Sequence, residues 1–116
     1  FVMRILIIGA GVAGLTLAAK LQRQGREPTF IERLPEYADS GYGISLWPLG
    51  SCVLHGLGVY DDIMDSGLEA QRFELADHTG QVLQRMDLSS LTRTADPLVT
   101  LPRSDLIRVG SATLPG

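Results

Sequence analysis

Apolar residues fall in short, separately phased groups along this chain. Ile5-Leu6-Ile7-Ile8 is a continuous run of strand length, and residues 15–24 set Leu15, Ala18 and Leu21 at helical spacing ahead of Gly25. Thr29-Phe30-Ile31 reads as a second short strand after Pro28, which is tolerated at a strand's first position because it has no N–H to donate. This order predicts the first βαβ portion of a parallel sheet. Residues 32–47 hold Pro35, Asp39, Ser40, Gly41 and Gly43 and keep no helical period, so they read as a returning loop. Leu49, Val53, Leu54 and Leu57 are helically spaced with Gly56 and Gly58 closing the pattern, and 59–64 offers a further short helix before Gly67; both are expected to cover the sheet. The period then drops to two. Phe73 and Leu75 share one face of 72–77, and Val82, Met86 and Leu88 share one face of 82–88, with Asp77-His78-Thr79-Gly80 as the turn of a β-hairpin. The change of period predicts an excursion into a second sheet over 71–96, between a first domain part at 1–70 and its return at 97–116. In that return, 98–101 reads as a strand, and Ser104 or Asp105 opens a last helix running into Gly110.

The turn between the first strand and helix is Gly9-Ala10-Gly11-Val12-Ala13-Gly14. At this spacing the first glycine permits a tight turn, the second lets backbone approach a pyrophosphate, and the third lets helix pack on strand. The N–H groups of the first helical turn, Val12, Ala13 and Gly14 among them, then face the phosphates. The helix dipole adds roughly 0.3–1 kcal/mol there without any cationic side chain. Glu32 ends the second strand, 18 residues after Gly14. That lies close to the offset of about 20 residues at which a carboxylate accepts hydrogen bonds from an adenosine ribose. A dinucleotide site follows from these residues together.

Composition narrows the class. The 116 residues, 45% of them apolar and 20% charged, suffice for one small globular domain or part of a larger one. Ten basic against thirteen acidic side chains give a net charge of −3 with no basic cluster, which argues against a nucleic-acid partner. Cys52 is the sole cysteine, which excludes an internal disulfide and a CxxC pair and fits a reducing, cytoplasmic setting. Arg4 and the apolar stretch 5–19 superficially resemble a secretory signal, but the phased glycines account for them better, and no other stretch nears membrane-spanning length. Met3 reads as a natural start, with Phe1-Val2 an added remnant or an upstream extension.

Three stretches resemble the class A flavoprotein monooxygenases, the FAD-dependent aromatic hydroxylases of the para-hydroxybenzoate and salicylate hydroxylase type. These are Gly9-x-Gly11-x-x-Gly14 through Glu32-Arg33; Ser40-Gly41-Tyr42-Gly43-Ile44-Ser45-Leu46-Trp47-Pro48 with Val53-Leu54 and Leu57-Gly58; and Arg103-Ser104-Asp105-Leu106, similar to the family's R-x-x-L element. The resemblance implies an α/β, Rossmann-like FAD-binding βαβ domain of the GR2 type, with the hairpin belonging to a substrate-domain sheet. It implies that Glu32 holds the adenosine ribose, that Arg33 lies on the adenine side, that Gly43 approaches the flavin, and that Arg103 contacts the cofactor with a guanidinium fork suited to phosphate and ribityl oxygens. It further implies NAD(P)H as reductant, a flavin hydroperoxide as oxidant, and an aromatic or polyketide-like small molecule as substrate. In that chemistry the protein positions and shields, so no catalytic residue is assigned in this chain.

Family members are several times longer and carry Asp-Gly and Gly-Asp elements that complete the pyrophosphate and ribityl site; neither dipeptide occurs here. The chain is therefore expected to be an N-terminal fragment, a truncated product or one piece of a cleaved protein, completed by a complementary chain or by self-association. Two other functions fit fewer of the residues: a non-catalytic nucleotide-binding or assembly module, and a small NAD-dependent oxidoreductase. The remaining side chains have simpler expectations. Cys52 reads as a small, wholly or partly buried helix residue, Trp47 as core packing rather than cavity lining, and Asp61, Asp62 and Asp65 as a solvated helix face. His55 and His78 have no carboxylate or serine placed beside them in sequence and read as surface residues, and no metal site is assigned.

Overall fold

In chain order the elements are β1 (Leu6–Ile8), α1 (Val12–Arg23), β2 (Thr29–Ile31), β3 (Gly43–Leu46), α2 (Pro48–Leu57), α3 (Tyr60–Met64), β4 (Leu68–Glu69), β5 (Arg72–Ala76), β6 (Val82–Asp87), β7 (Val99–Pro102) and α4 (Arg103–Ala112). They come from a computed structural model that describes residues 3–34, 42–90, 93 and 96–114. Ser40 and Gly41 of the second family-like stretch lie outside the described residues.

β1 and β2 pair in parallel, in the register Leu6 with Thr29, Ile7 with Phe30 and Ile8 with Ile31. Paired residues of a parallel ladder share a face, so Ile7 turns toward α1 and is buried while Leu6 and Ile8 turn the other way. Leu6 is 58% exposed and Ile8 80% exposed, and no described element covers that face. α1 starts at Val12, earlier than its apolar period: Gly11 enters in extended conformation, and Val12 is already half-buried against the core. Gly25, at φ +74°, ends it with its N–H on the Gln22 carbonyl.

The stretch read as loop over 32–47 contains β3, a correction to the sequence reading. β3 and β4 flank β7, both antiparallel to it. Four residues among turn formers carry little period. What makes them a strand is β7, whose Val99 and Leu101 are buried opposite Leu46 and Ile44 while Ser45 and Thr100 face outward with their hydroxyls 3.2 Å apart. The main core lies between this sheet and the helices and joins Ala19, Leu54, Leu57, Val59, Ile63, Val99, Leu101, Leu106 and Val109. Ala10, Leu15 and Ile107 form a smaller cluster that fixes the start of α1 against α4.

α2 presents Ser51, Leu54 and Leu57 inward, whereas Leu49 is 83% exposed, so the buried stripe is rotated from the one its leucines suggest. With it turn Cys52, which is exposed rather than buried, and Trp47, which is 55% exposed rather than packed in the core. The Arg23 guanidinium donates to the carbonyls of Gly56 and Leu57, tying the end of α1 to the end of α2, where orphan carbonyls accept a cation well. His55 does have a carboxylate neighbour: its Nε2 lies 3.0 Å from Asp96 Oδ2 and its ring stacks on Tyr60 at 3.8 Å. Burial, and then the Asp96 carboxylate, push the Tyr60 phenol up from its ordinary pKa. Asp61, Asp62 and Asp65 are exposed, as a solvated helix face requires.

β5 and β6 form the expected hairpin, a separate two-stranded sheet. Phe73 pairs with Met86 and Leu75 with Gln84 on one face, and Glu74 with Arg85 on the other, where Arg85 Nε lies 2.6 Å from Glu74 Oε1. In the turn, Asp77 Oδ1 accepts from Thr79 N at 2.8 Å and Gln81 N at 3.0 Å, and Gly80 takes φ +88°. The radius of gyration is 17.0 Å. A compact domain of this length has about 13 Å. Open sheet faces and the projecting hairpin account for the excess.

Candidate functional site at the glycine turn

The turn between β1 and α1 is built by two close approaches. Gly9 adopts φ +101°, a conformation side chains disfavour, and a Cβ at Gly14 would fall 2.0 Å from the Gly9 carbonyl oxygen and 3.4 Å from Ile7 Cγ2. Gly9 therefore makes the turn and Gly14 lets helix, turn and strand meet. Gly11 differs from both, because the nearest atom to a Cβ there is Arg103 Nη2 at 3.5 Å. Among the described residues no backbone atom outside Gly11 and its chain neighbours comes within 4 Å of that position. Val12, Ala13 and Gly14 open α1, and helix geometry gives their N–H groups no carbonyl inside the helix. Gly11 caps α1 without a side-chain hydrogen bond and the first turn carries no acidic residue, so those donors stay available to an anion.

Glu32 sits just past β2, brought beside the turn by the parallel pairing and by the Gly9 N–H donating to the Ile31 carbonyl at 2.8 Å. Its Oε2 accepts the Ala10 N–H at 2.8 Å and its Oε1 accepts the Leu34 N–H at 3.0 Å. These bonds, Leu34 first and Ala10 second, hold the carboxyl below the usual carboxylate range, so it is ionised at neutral pH. Each oxygen keeps further acceptor capacity for a ligand hydroxyl. Arg33 lines the same cleft as Ile8, Gly9, Ile31 and Glu32.

Gly43 and Arg103 arrive together through the second sheet. Gly43 pairs with Pro102, and Arg103 N donates to the Tyr42 carbonyl at 3.2 Å. α4 starts at Arg103, and the Ala10, Leu15 and Ile107 cluster holds that helix against α1, so the half-buried guanidinium reaches the glycine turn. A Cβ at Gly43 would meet Thr100 Cγ2 at 3.6 Å and the Leu101 oxygen at 3.7 Å, ordinary contact distances. Nothing in the described chain requires glycine there. Gly9, Gly11, Val12, Ala13, Gly14, Glu32 and Arg33 thus gather at the C-terminal ends of β1 and β2, Arg103 stands over Gly11, and Gly43 lies one strand position away from Arg103's entry. Tyr42 was not singled out by sequence reasoning. Its ring lies 5.7 Å from the Arg103 guanidinium carbon, a proximity created by pairing across the sheet that no local pattern encodes.

A turn whose second glycine faces open space, a helix N-terminus whose donors have no carbonyl inside the helix, an ionised carboxylate at the neighbouring strand end and a guanidinium with no carboxylate partner among the described residues together fit a dinucleotide diphosphate. Among the described residues there is no cluster of metal-ligating side chains and no helix long and apolar enough to cross a membrane.

Comparison with known proteins agrees with this geometry. The chain is 37% identical over 116 residues to a 3-amino-4-hydroxybenzoate 2-monooxygenase of Streptomyces cremeus, a match covering 97% of this chain and 29% of that enzyme. In fold it resembles the crystal structure of the p-nitrophenol 4-monooxygenase PnpA from Pseudomonas putida, with a TM-score of 0.85 and 21% identity over 97% of this chain and 29% of that one. It also resembles Klebsiella pneumoniae HpxO complexed with FAD and uric acid, with a TM-score of 0.74 and 27% identity over 95% of this chain and 28% of that one. The chain thus spans less than a third of the length of these relatives. The family described as FAD binding domain matches residues 2–109, and the chain belongs to that family.

Proposed function

We propose that this chain forms the part of an FAD site that holds the adenosine and pyrophosphate end of the cofactor, within an NAD(P)H-dependent hydroxylase of aromatic small molecules. The observation that carries the proposal is the convergence of three distant segments: Glu32 Oε2 sits 2.8 Å from Ala10 N, and Arg103 Nη2 sits 3.5 Å from the Cβ position of Gly11. FAD reduced by NAD(P)H supplies the activation of dioxygen for ring hydroxylation. The residues of this chain bind and orient. The first turn of α1 donates N–H groups to the pyrophosphate, Gly11 leaves room for it, and Glu32 accepts from the ribose hydroxyls with Arg33 on the adenine side. Arg103 donates to phosphate or ribityl oxygens, and Gly43 allows the flavin end close approach. An aromatic acid bearing amino and hydroxyl groups is the substrate class supported by the similarity to the Streptomyces enzyme.

The open apolar face at Leu6 and Ile8 favours a site completed by further protein, whether a complementary chain or a second copy. Fluorescence titration with FAD tests the binding role. Arg103→Met and Glu32→Gln are each expected to weaken FAD by roughly ten- to a hundredfold, the effect of a charge-assisted hydrogen bond. Unchanged affinity in both variants overturns the proposal. NADH or NADPH oxidation that rises on addition of 3-amino-4-hydroxybenzoate, with FAD present, supports the reaction class.

A further inference from the structure

Arg103 is held from two directions by Tyr42. Its backbone N–H donates to the Tyr42 carbonyl at 3.2 Å, and its guanidinium carbon lies 5.7 Å from the centre of the Tyr42 ring, within the range of a cation–π contact. The other end of that guanidinium is the atom nearest the Cβ position of Gly11, at 3.5 Å. Arg103 has no carboxylate at ion-pair distance among the described residues, so its charge is not committed elsewhere in them. Tyr42 itself is 54% exposed, and its ring serves no part of the buried core. An arginine has many rotamers to lose when a ligand fixes it, and a ring that already attracts the guanidinium from within cation–π range removes part of that loss before the ligand arrives.

We infer that Tyr42 is a positioning residue for the cofactor site: its ring fixes the Arg103 guanidinium above the Gly11 backbone so that the fork is aimed at the dinucleotide diphosphate. The inference rests on the proposed role of Arg103 in binding FAD. It adds a residue that acts through the arginine, and through the aromatic ring rather than through the phenol. The ring is what attracts the cation, so Tyr42→Phe retains the function and Tyr42→Leu loses it.

The test uses the whole chain in two measurements. In the first, the side-chain Nε–H signal of Arg103 is located by NMR without ligand; the ring places it upfield in the wild-type chain and in Tyr42→Phe, and it moves downfield in Tyr42→Leu. In the second, the same signal and the flavin fluorescence follow titration with FAD. Tyr42→Leu is expected to weaken FAD by roughly two- to fivefold, and Tyr42→Phe to restore most of the affinity. An Arg103 signal unmoved by Tyr42→Leu, or Tyr42→Leu binding FAD as the wild type does while Arg103→Met binds it weakly, overturns the inference and leaves the role of Arg103 standing. FAD that binds equally to the wild type, Tyr42→Leu and Arg103→Met, or that affects none of them, overturns both.

Discussion

Gly14 and Gly43 respond oppositely to one added methyl group. At Gly14 the methyl would lie 2.0 Å from the Gly9 carbonyl oxygen, backbone that cannot yield without opening the turn. Gly14→Ala is expected to cost about 3 kcal/mol or more in urea denaturation. At Gly43 the methyl finds ordinary contacts, so Gly43→Ala is expected to change stability by less than about 1 kcal/mol while weakening FAD binding in titration. Glu32 supplies a pH-dependent counterpart. Its carboxyl is held below its unfolded value by the Leu34 and Ala10 N–H groups, so its contribution is fully present above about pH 4.5 and is lost as pH falls through the lower folded value. The Ala10 and Leu34 amide signals are expected to shift upfield together over that acid range, and Glu32→Gln to abolish the joint titration. Gly9, Gly14 and Glu32 were legible in the sequence because their spacing is local to one βαβ unit. Tyr42 was not, because its meaning lies in Arg103, 61 positions away.

Elements were legible in proportion to how much of their reason for existing lies inside them. β1, α1 and β2 carry their own period, and the β5–β6 hairpin carries both an alternation and an Asp77-to-Gly80 turn. β3 and β4 do not. They have four and two residues, and they are strands because β7 offers them a ladder. α2 was recognised, but the rotation of its buried stripe was not, since Leu49 and Ser51 exchange the places their polarity suggests. Trp47 and Cys52 lie on the exposed side of that same stretch, whereas His55 is at the surface as its sequence suggests and gains as its carboxylate neighbour only Asp96, distant in sequence. The clasp from Arg23 to the Gly56 and Leu57 carbonyls is likewise invisible in sequence, yet it joins two helix ends. Arg23→Ala is expected to lower stability by about 1–2 kcal/mol in urea, a value discounted for the exposure of the side chain, and Arg23→Lys to recover part of the loss.

At the scale of the molecule, the open faces matter more than the core. Leu6 and Ile8 on the β1–β2 sheet, and Phe73 and Leu75 on the hairpin, are apolar and exposed. Covering such a side chain fully is worth about 1.5–3 kcal/mol, so contact with a second surface is favoured. Sedimentation of the chain is expected to show concentration-dependent association, and Leu6→Lys to reduce it. A monodisperse monomer at high concentration would remove the case for a completing partner surface.

The pairing of β3 with β7 has a further consequence, in time rather than space. β1, α1 and β2 close within a short stretch of chain, so the glycine turn and Glu32 can organise early. Gly43 meets Pro102 only after a loop of 58 intervening residues has closed, and Arg103 follows that closure. An emerging chain therefore owns the carboxylate side of the cleft well before it owns the guanidinium. In refolding experiments, tight flavin binding should trail the first helical signal and appear with the slowest phase, so that the cofactor itself clocks the last long-range step of folding.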